Sequence, residues 1–110
     1  MSESFRKGIV QRVFRNFLDI IVLRLVQAEP MWGYKIIRYV EEEYGISIRH
    51  GALYPLLNSL EKKGFLRSRK EEKGGRVRKV YEITSRGIQL LDAYSEVLQE
   101  QIQKQDIKAA

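Results

Sequence analysis

The chain has 110 residues, 20 of them Lys or Arg against 14 Asp or Glu, for a net charge of +6. That is one domain's length, ample for a single core since domains of about 60 residues fold alone, and the cationic excess points to a polyanionic partner. With no cysteine and one histidine, His50, disulfides, thiolate chemistry and His-rich metal sites are excluded, and the longest apolar run, residues 20–23, is far short of the roughly 20 residues a bilayer demands.

Residues 5–28 are expected to form one long helix. Val10, Phe14, Phe17, Leu18, Ile21 and Leu25 recur at spacings of three and four, the period of one helix face. Val13, Ile20 and Val22 widen that stripe. The expectation is therefore a core role for residues 17–27 and a dimer contact for residues 5–16. Arg6, Lys7, Arg12 and Arg15 read as solvated. Pro30 closes the helix, because the residue before a proline avoids the helical region.

A second helix is expected over residues 32–44, with Tyr34, Ile37, Val40 and Tyr44 inward and Ile36 flanking. Gly45 suits a left-handed C-terminal cap. Trp32 is either a ligand-stacking ring or, more commonly, a wedge between helices. Residues 46–48 form a connector, with room for a brief strand that pairs further along.

A third helix is predicted over residues 50–63. Leu53, Leu56, Leu57 and Leu60 form its inward face. Gly51, Tyr54, Pro55, Asn58 and Lys62 form the outward one. Pro55 removes a ladder hydrogen bond and should bend the first turn. Residues 65–71 and 76–83 are strand candidates around a Gly74-Gly75 turn, since glycines accept positive φ. Thr84 is a credible N-cap for a last helix over 84–104, with residues 104–110 frayed. In that helix Ile88, Leu91, Ser95, Leu98 and Ile102 follow a heptad seam, flanked by Leu90, Tyr94 and Val97. So small a domain cannot cover that seam, so a second copy is expected to.

Residues 67–79 hold seven cations against two glutamates, a net +5 out of the chain's +6. A charged hairpin can simply be solvated and protected from edge pairing. Clustering around a Gly-Gly turn directly after a leucine-backed helix favours a grip on backbone phosphate. The expected DNA contacts are Arg49, His50, Gly51, Tyr54 and Asn58 on the third helix and Lys73, Arg76, Arg78 and Lys79 on the hairpin. Asn pairs in two places with adenine and Arg with guanine, and helix N-terminal amides receive phosphate. Tyr54 either meets phosphate or a thymine methyl, or braces the hairpin. Glu41, Glu42 and Glu43 read as a solvated run. No nucleophile has a base beside it, no phosphate loop is present, and neither an enzyme nor a cofactor is expected.

These residues resemble the PadR family of transcriptional regulators. The resemblance runs over roughly residues 18–92. It is carried by Leu23 and Leu25, Met31-Trp32-Gly33-Tyr34, Gly51-Ala52-Leu53-Tyr54-Pro55-Leu56-Leu57, Leu60-Glu61-Lys62-Lys63-Gly64-Phe65-Leu66, Gly75-Arg76, Lys79-Val80-Tyr81-Glu82-Ile83-Thr84 and Gly87. It implies a mainly α fold with a small β-hairpin, a winged helix-turn-helix, in a homodimeric repressor of nearby genes. The helix over 50–63 would then enter the major groove of double-stranded DNA, and the hairpin over 65–83 would be the wing. Trp32 departs from the histidine or tyrosine common in the family. With a single C-terminal helix in the chain, the dimer would rest on residues 5–20 and 86–103, through Val10, Phe14, Phe17, Ile88, Leu91, Tyr94, Leu98 and Ile102. The operator would be pseudo-palindromic, its half-sites about 34 Å apart, and the compartment cytoplasmic, with no membrane partner. Two other readings stand beside this one: a protein-binding winged helix, and a sensor that takes an apolar small-molecule effector at the dimer interface through Trp32, Phe14 and Tyr94.

Overall fold

A computed structural model describes residues 3–103. The expected first helix is two. α1 (Glu3–Asn16) and α2 (Leu18–Ala28) meet at Phe17, whose backbone leaves the helical region at φ −125°, ψ 30°. The ladder still crosses the break, because the Phe17 N–H donates to the Val13 carbonyl at 2.8 Å and the Ile21 N–H to the Phe17 carbonyl at 3.0 Å. Inside the first turn of α2, the Ile20 N–H donates to the Asp19 carboxylate at 2.8 Å. A side chain that offers the backbone such a local partner competes with regular helix, a signal that hydrophobic spacing does not carry.

α2 buries Ile21, Val22, Leu23, Leu25 and Val26. Apolar on most sides, it is the helix around which the others pack. Glu29 ends it in extended backbone ahead of Pro30, as expected of a residue before proline. Met31 and Trp32 then form a two-residue strand, β1 (Met31–Trp32). The brief strand allowed for at residues 46–48 is thus found fifteen residues earlier. α3 (Gly33–Tyr44) begins after Trp32 and buries Ile36, Ile37 and Val40. Tyr34 is 51% exposed, not inward as its spacing suggested. Gly45 is the left-handed cap at φ 67°, and its N–H donates to the Glu41 carbonyl at 2.9 Å.

α4 (His50–Lys62) buries Leu53, Leu57 and Leu60 and runs unbroken through Pro55. Its first turn is tightened, with the N–H groups of Ala52 and Leu53 both donating to the Arg49 carbonyl at 3.0 Å. The helix ends in a Schellman arrangement. Gly64, at φ 82°, donates to the Glu61 carbonyl at 3.0 Å, and Phe65 donates to the Leu60 carbonyl at 2.9 Å. Two of the orphan carbonyls at the helix end are thereby satisfied.

β2 (Leu66–Lys73) and β3 (Arg76–Ile83) form the hairpin, in register from Leu66 opposite Ile83 to Lys73 opposite Arg76. Only Gly74 and Gly75 lie outside the ladder, at φ 60° and 78°. Two positive φ values in a two-residue loop are the tight turn whose twist matches the strands. β1 pairs antiparallel on the other side of β3, so the sheet order is β1-β3-β2. The Thr84 hydroxyl accepts the Gly87 N–H at 3.1 Å and caps α5 (Ser85–Gln103). The expected extension of this helix to residue 104, and the fraying beyond, lie outside the described residues. The protein measures 61 × 33 × 22 Å along its principal axes.

Candidate nucleic-acid interface

The exposed face of α4 carries Gly51, Tyr54 and Asn58, while Leu53, Leu57 and Leu60 anchor its other face. His50 stacks on Tyr54, ring centroids 5.7 Å apart and planes 17° from parallel. Tyr54 in turn lies over Gly33, where a β-carbon would come within 2.6 Å of the ring. Only glycine admits the phenol at that spot. Tyr54 is therefore a brace against α3 that stays partly exposed.

The wing's cations fall into two sets. Arg69 bridges Glu82 at 2.7 Å and Glu71 at 3.1 Å, and Arg67 reaches Glu82 at 3.4 Å. Lys79 pairs with Glu61 of α4 at 2.9 Å. The Ser68 hydroxyl also donates to Glu61, and these two contacts hold the Glu61 carboxyl below its ordinary pKa, Ser68 contributing most. Glu61 holds Lys79 protonated in return, raising its pKa. Glu61 thus ties the base of the wing to α4. Lys70, Lys73, Arg76 and Arg78 make no ion pair among the described residues. Lys73 and Arg76 face each other beside the turn, and Arg78 lies over the Trp32 ring, 4.5 Å from its centroid.

One cleft joins the two elements. Tyr54 and Asn58 line it from α4, Arg76, Arg78 and Lys79 from β3, and Trp32, Gly33 and Tyr34 from β1 and α3. Five of the nine DNA-contact residues expected from sequence are brought together there. Lys73 continues the row to the wing tip, while Arg49 lines a different cleft, with Arg15 of α1, beyond the start of α4. The contribution of β1 and α3 is absent from the expected set. A two-residue strand has no period to detect, and Met31-Trp32-Gly33-Tyr34 reads equally well as a helix start.

The expected dimer residues divide. Phe14 is not at the surface: it is buried, its ring 4.9 Å from that of Tyr44, and Arg24 donates to the Tyr44 hydroxyl at 3.2 Å. Val10 and Phe17 are half-buried. The outward apolar stripe of α1 is instead Phe5, Ile9 and Val13, exposed by 70%, 53% and 39%. On α5, Ile88, Leu91 and Tyr94 are half-buried and Leu98 and Ile102 are exposed. Trp32 lines the wing cleft while Phe14 is packed on Tyr44, so within one protomer they do not form the effector site envisaged with Tyr94.

A helix presented beside a three-stranded sheet with a cationic hairpin defines a winged-helix protein of the DNA-binding class. Residues 22–93 match the family model described as Transcriptional regulator PadR-like family, and the chain belongs to that family; it is a transcriptional regulator, not an enzyme. Solved relatives have the same fold. A PadR family transcriptional regulator from Eggerthella lenta DSM 2243 is 30% identical at TM-score 0.72, covering 93% of this chain and 92% of its own. A transcriptional regulator from Clostridium thermocellum is 27% identical at TM-score 0.71, covering 88% and 99%. A structure described as a putative transcriptional regulator from Thermoplasma acidophilum is 28% identical at TM-score 0.71, covering 80% and 85%. No curated protein matches the chain. Among the described residues no helix is long and apolar enough to cross a membrane, and no cluster of His, Asp or Glu could hold a metal ion.

Proposed function

We propose that the protein is a homodimeric repressor that binds a pseudo-palindromic site in double-stranded DNA in the cytoplasm. In this reading α4 enters the major groove. Asn58 and Arg49 read base edges, and Tyr54, backed by His50, packs on a thymine methyl or a phosphate. Gly51 lets the backbone approach closely. Lys73, Arg76 and Arg78 grip phosphates and set the register without choosing sequence. Lys79 can join them, because an exposed ion pair such as that with Glu61 is worth about 1 kcal/mol at most.

The observation that carries this reading is the shared cleft: the polar residues of α4 and the unpaired cations of β3 open on the same side. A solvated, purely protective charge cluster would have no reason to face the α4 surface. Dimerisation is supported by the apolar stripe Phe5, Ile9 and Val13 and by Val97, Leu98 and Ile102, all exposed in one protomer. Fluorescence anisotropy with duplexes tiled from the region upstream of the protein's own gene tests the function, against a random duplex across a range of salt. The expected result is one duplex bound far more tightly than random, by a species that sediments as a dimer, and reduced run-off transcription from that promoter. Equal affinity for every duplex, or tight binding by a monomer, would remove the proposal.

A further inference from the structure

Trp32 and Arg78 are linked by the sheet register. Trp32 lies opposite Val80, and Arg78 is two residues earlier on β3, so the two project from one sheet face as diagonal neighbours. The guanidinium lies 4.5 Å from the centre of the indole, where a cation is attracted by the ring's negative face. The carboxylate most able to draw it away is Glu71, directly opposite on β2, but Glu71 is engaged by Arg69 at 3.1 Å. A second cation, Lys35, lies 5.6 Å from the same ring. It is held by Glu29 at 2.6 Å, whereas Arg78 has no ion-pair partner among the described residues. Stacking uses the face of a guanidinium and leaves its N–H edge free for an anion. Arg78 lines the same cleft as Asn58 and Tyr54.

We propose that Trp32 is a positioning residue for DNA binding: its indole holds the Arg78 guanidinium beside the exposed face of α4, oriented to meet a backbone phosphate. The inference rests on the wing reading above. An arginine whose rotamers are already restricted loses less freedom when DNA arrives, and removing that restraint should weaken binding by roughly three- to tenfold.

The test is a double-mutant cycle on DNA binding, with salt dependence measured for each protein. Arg78→Ala should weaken binding and lower the salt slope by about one, the signature of one phosphate left without its cation. Trp32→Ala should weaken binding three- to tenfold with the slope retained, because the charge is still there. In the Arg78→Ala background, Trp32→Ala should add nothing. Trp32→Phe, which keeps a ring face, should bind close to the wild type, and Trp32→Leu, which keeps apolar bulk only, should resemble Trp32→Ala. Independent, multiplying losses in the cycle would overturn the proposal, as would equal binding by the Phe and Leu variants. If circular dichroism shows that Trp32→Ala does not fold, the comparison of Phe with Leu decides. An Arg78→Ala protein with unchanged affinity and slope would overturn the wing reading and this inference together. Loss on Arg78→Ala alongside an additive Trp32→Ala would overturn the inference alone.

Discussion

Tyr54 rests directly on Gly33, with its ring 2.6 Å from where a β-carbon would stand. The contact joins the start of α3 to the outward face of α4, and it decides the sign of a substitution. Alanine is ordinarily the better helix former by about 0.5–1 kcal/mol. Gly33→Ala forces Tyr54 aside, and since that ring is 38% exposed it can swing into solvent. The expected outcome is a melting temperature within a few degrees of wild type together with weaker specific DNA binding. Thermal melts and anisotropy on the same preparations check it; unchanged affinity would show that the resting place of Tyr54 is irrelevant to recognition.

What was legible in the sequence divides along physical lines. α4, the wing and the glycine caps rest on local rules, such as leucine spacing, two adjacent glycines and a glycine after an amphipathic run, and all three are present as expected. The break at Phe17 answers to the local Asp19 contact, which hydrophobic spacing does not carry, whereas the strand at Met31–Trp32 and the burial of Phe14 depend on partners distant in the chain: Phe14 packs on Tyr44, and β1 pairs with Val80 and Tyr81 of β3. The same limit applies to the interface. Cations could be counted in the sequence, but only the folded arrangement separates Arg67 and Arg69, tied to Glu82, from Arg76 and Arg78, which are not.

The junction between wing and α5 should be the most sensitive point for stability. The Thr84 hydroxyl donates to the Gly64 carbonyl at 2.6 Å while accepting the Gly87 N–H at 3.1 Å. Thr84→Ala should lower stability by about 1 kcal/mol through removal of the cap, and more if the Gly64 carbonyl is left unpaired. A β-carbon on buried Gly87 would run into the Phe65 carbonyl, a backbone atom that cannot swing away as Tyr54 can. Gly87→Ala should therefore destabilise by about 1–3 kcal/mol. Urea unfolding of both variants, with unchanged slope in denaturant, is the measurement.

Acid should loosen the tie between α4 and the wing. The Ser68 hydroxyl, then Lys79, holds Glu61 below its ordinary pKa. A carboxyl with a depressed folded pKa adds stability above its unfolded value, about 4.3, and that contribution is lost as pH falls through the lower folded value. The Glu61 contribution should thus be fully present and independent of pH near neutrality, and be lost in the acid range below about 4.3. Glu61→Gln should show a smaller acid loss over that window, measured by unfolding at a series of pH values. The same variant frees Lys79, so its affinity for random duplex at low salt should rise. A Glu61→Gln protein with the wild-type acid profile would exclude this linkage.

The dimer is expected to depend on the stripe of α1 that faces away from Tyr44. Ile9, at 53% exposure its middle residue, should tolerate Glu within the protomer because it packs on little there. In the proposed dimer the carboxylate would be buried without a partner, at a penalty of several kcal/mol. Sedimentation should show Ile9→Glu as a monomer with an unchanged circular dichroism spectrum. Gln11→Glu, exposed on another side of the same helix, should remain dimeric. Monomeric Ile9→Glu should also lose most of its preference for a two-half-site duplex, since each copy then binds alone.

Wing and α4 should fail differently when altered, and that difference separates gripping from reading. Lys73 and Arg76 oppose each other across the turn and carry no ion pair among the described residues. Replacing each with Ala should weaken binding to specific and random duplexes alike and lower the salt slope by about one for each phosphate that the wing no longer neutralises. Asn58 is uncharged and exposed on α4, opening on the same cleft. Asn58→Ala should leave the salt slope unchanged, relax preference at one base position, and reduce the gap between cognate and substituted duplex there by about 1–3 kcal/mol. Binding curves on single-position substituted duplexes at several salt concentrations distinguish the two patterns. An Asn58→Ala variant that weakens equally on every duplex would assign Asn58 to the backbone, and sequence choice would then fall to Tyr54 and to Arg49, just ahead of α4.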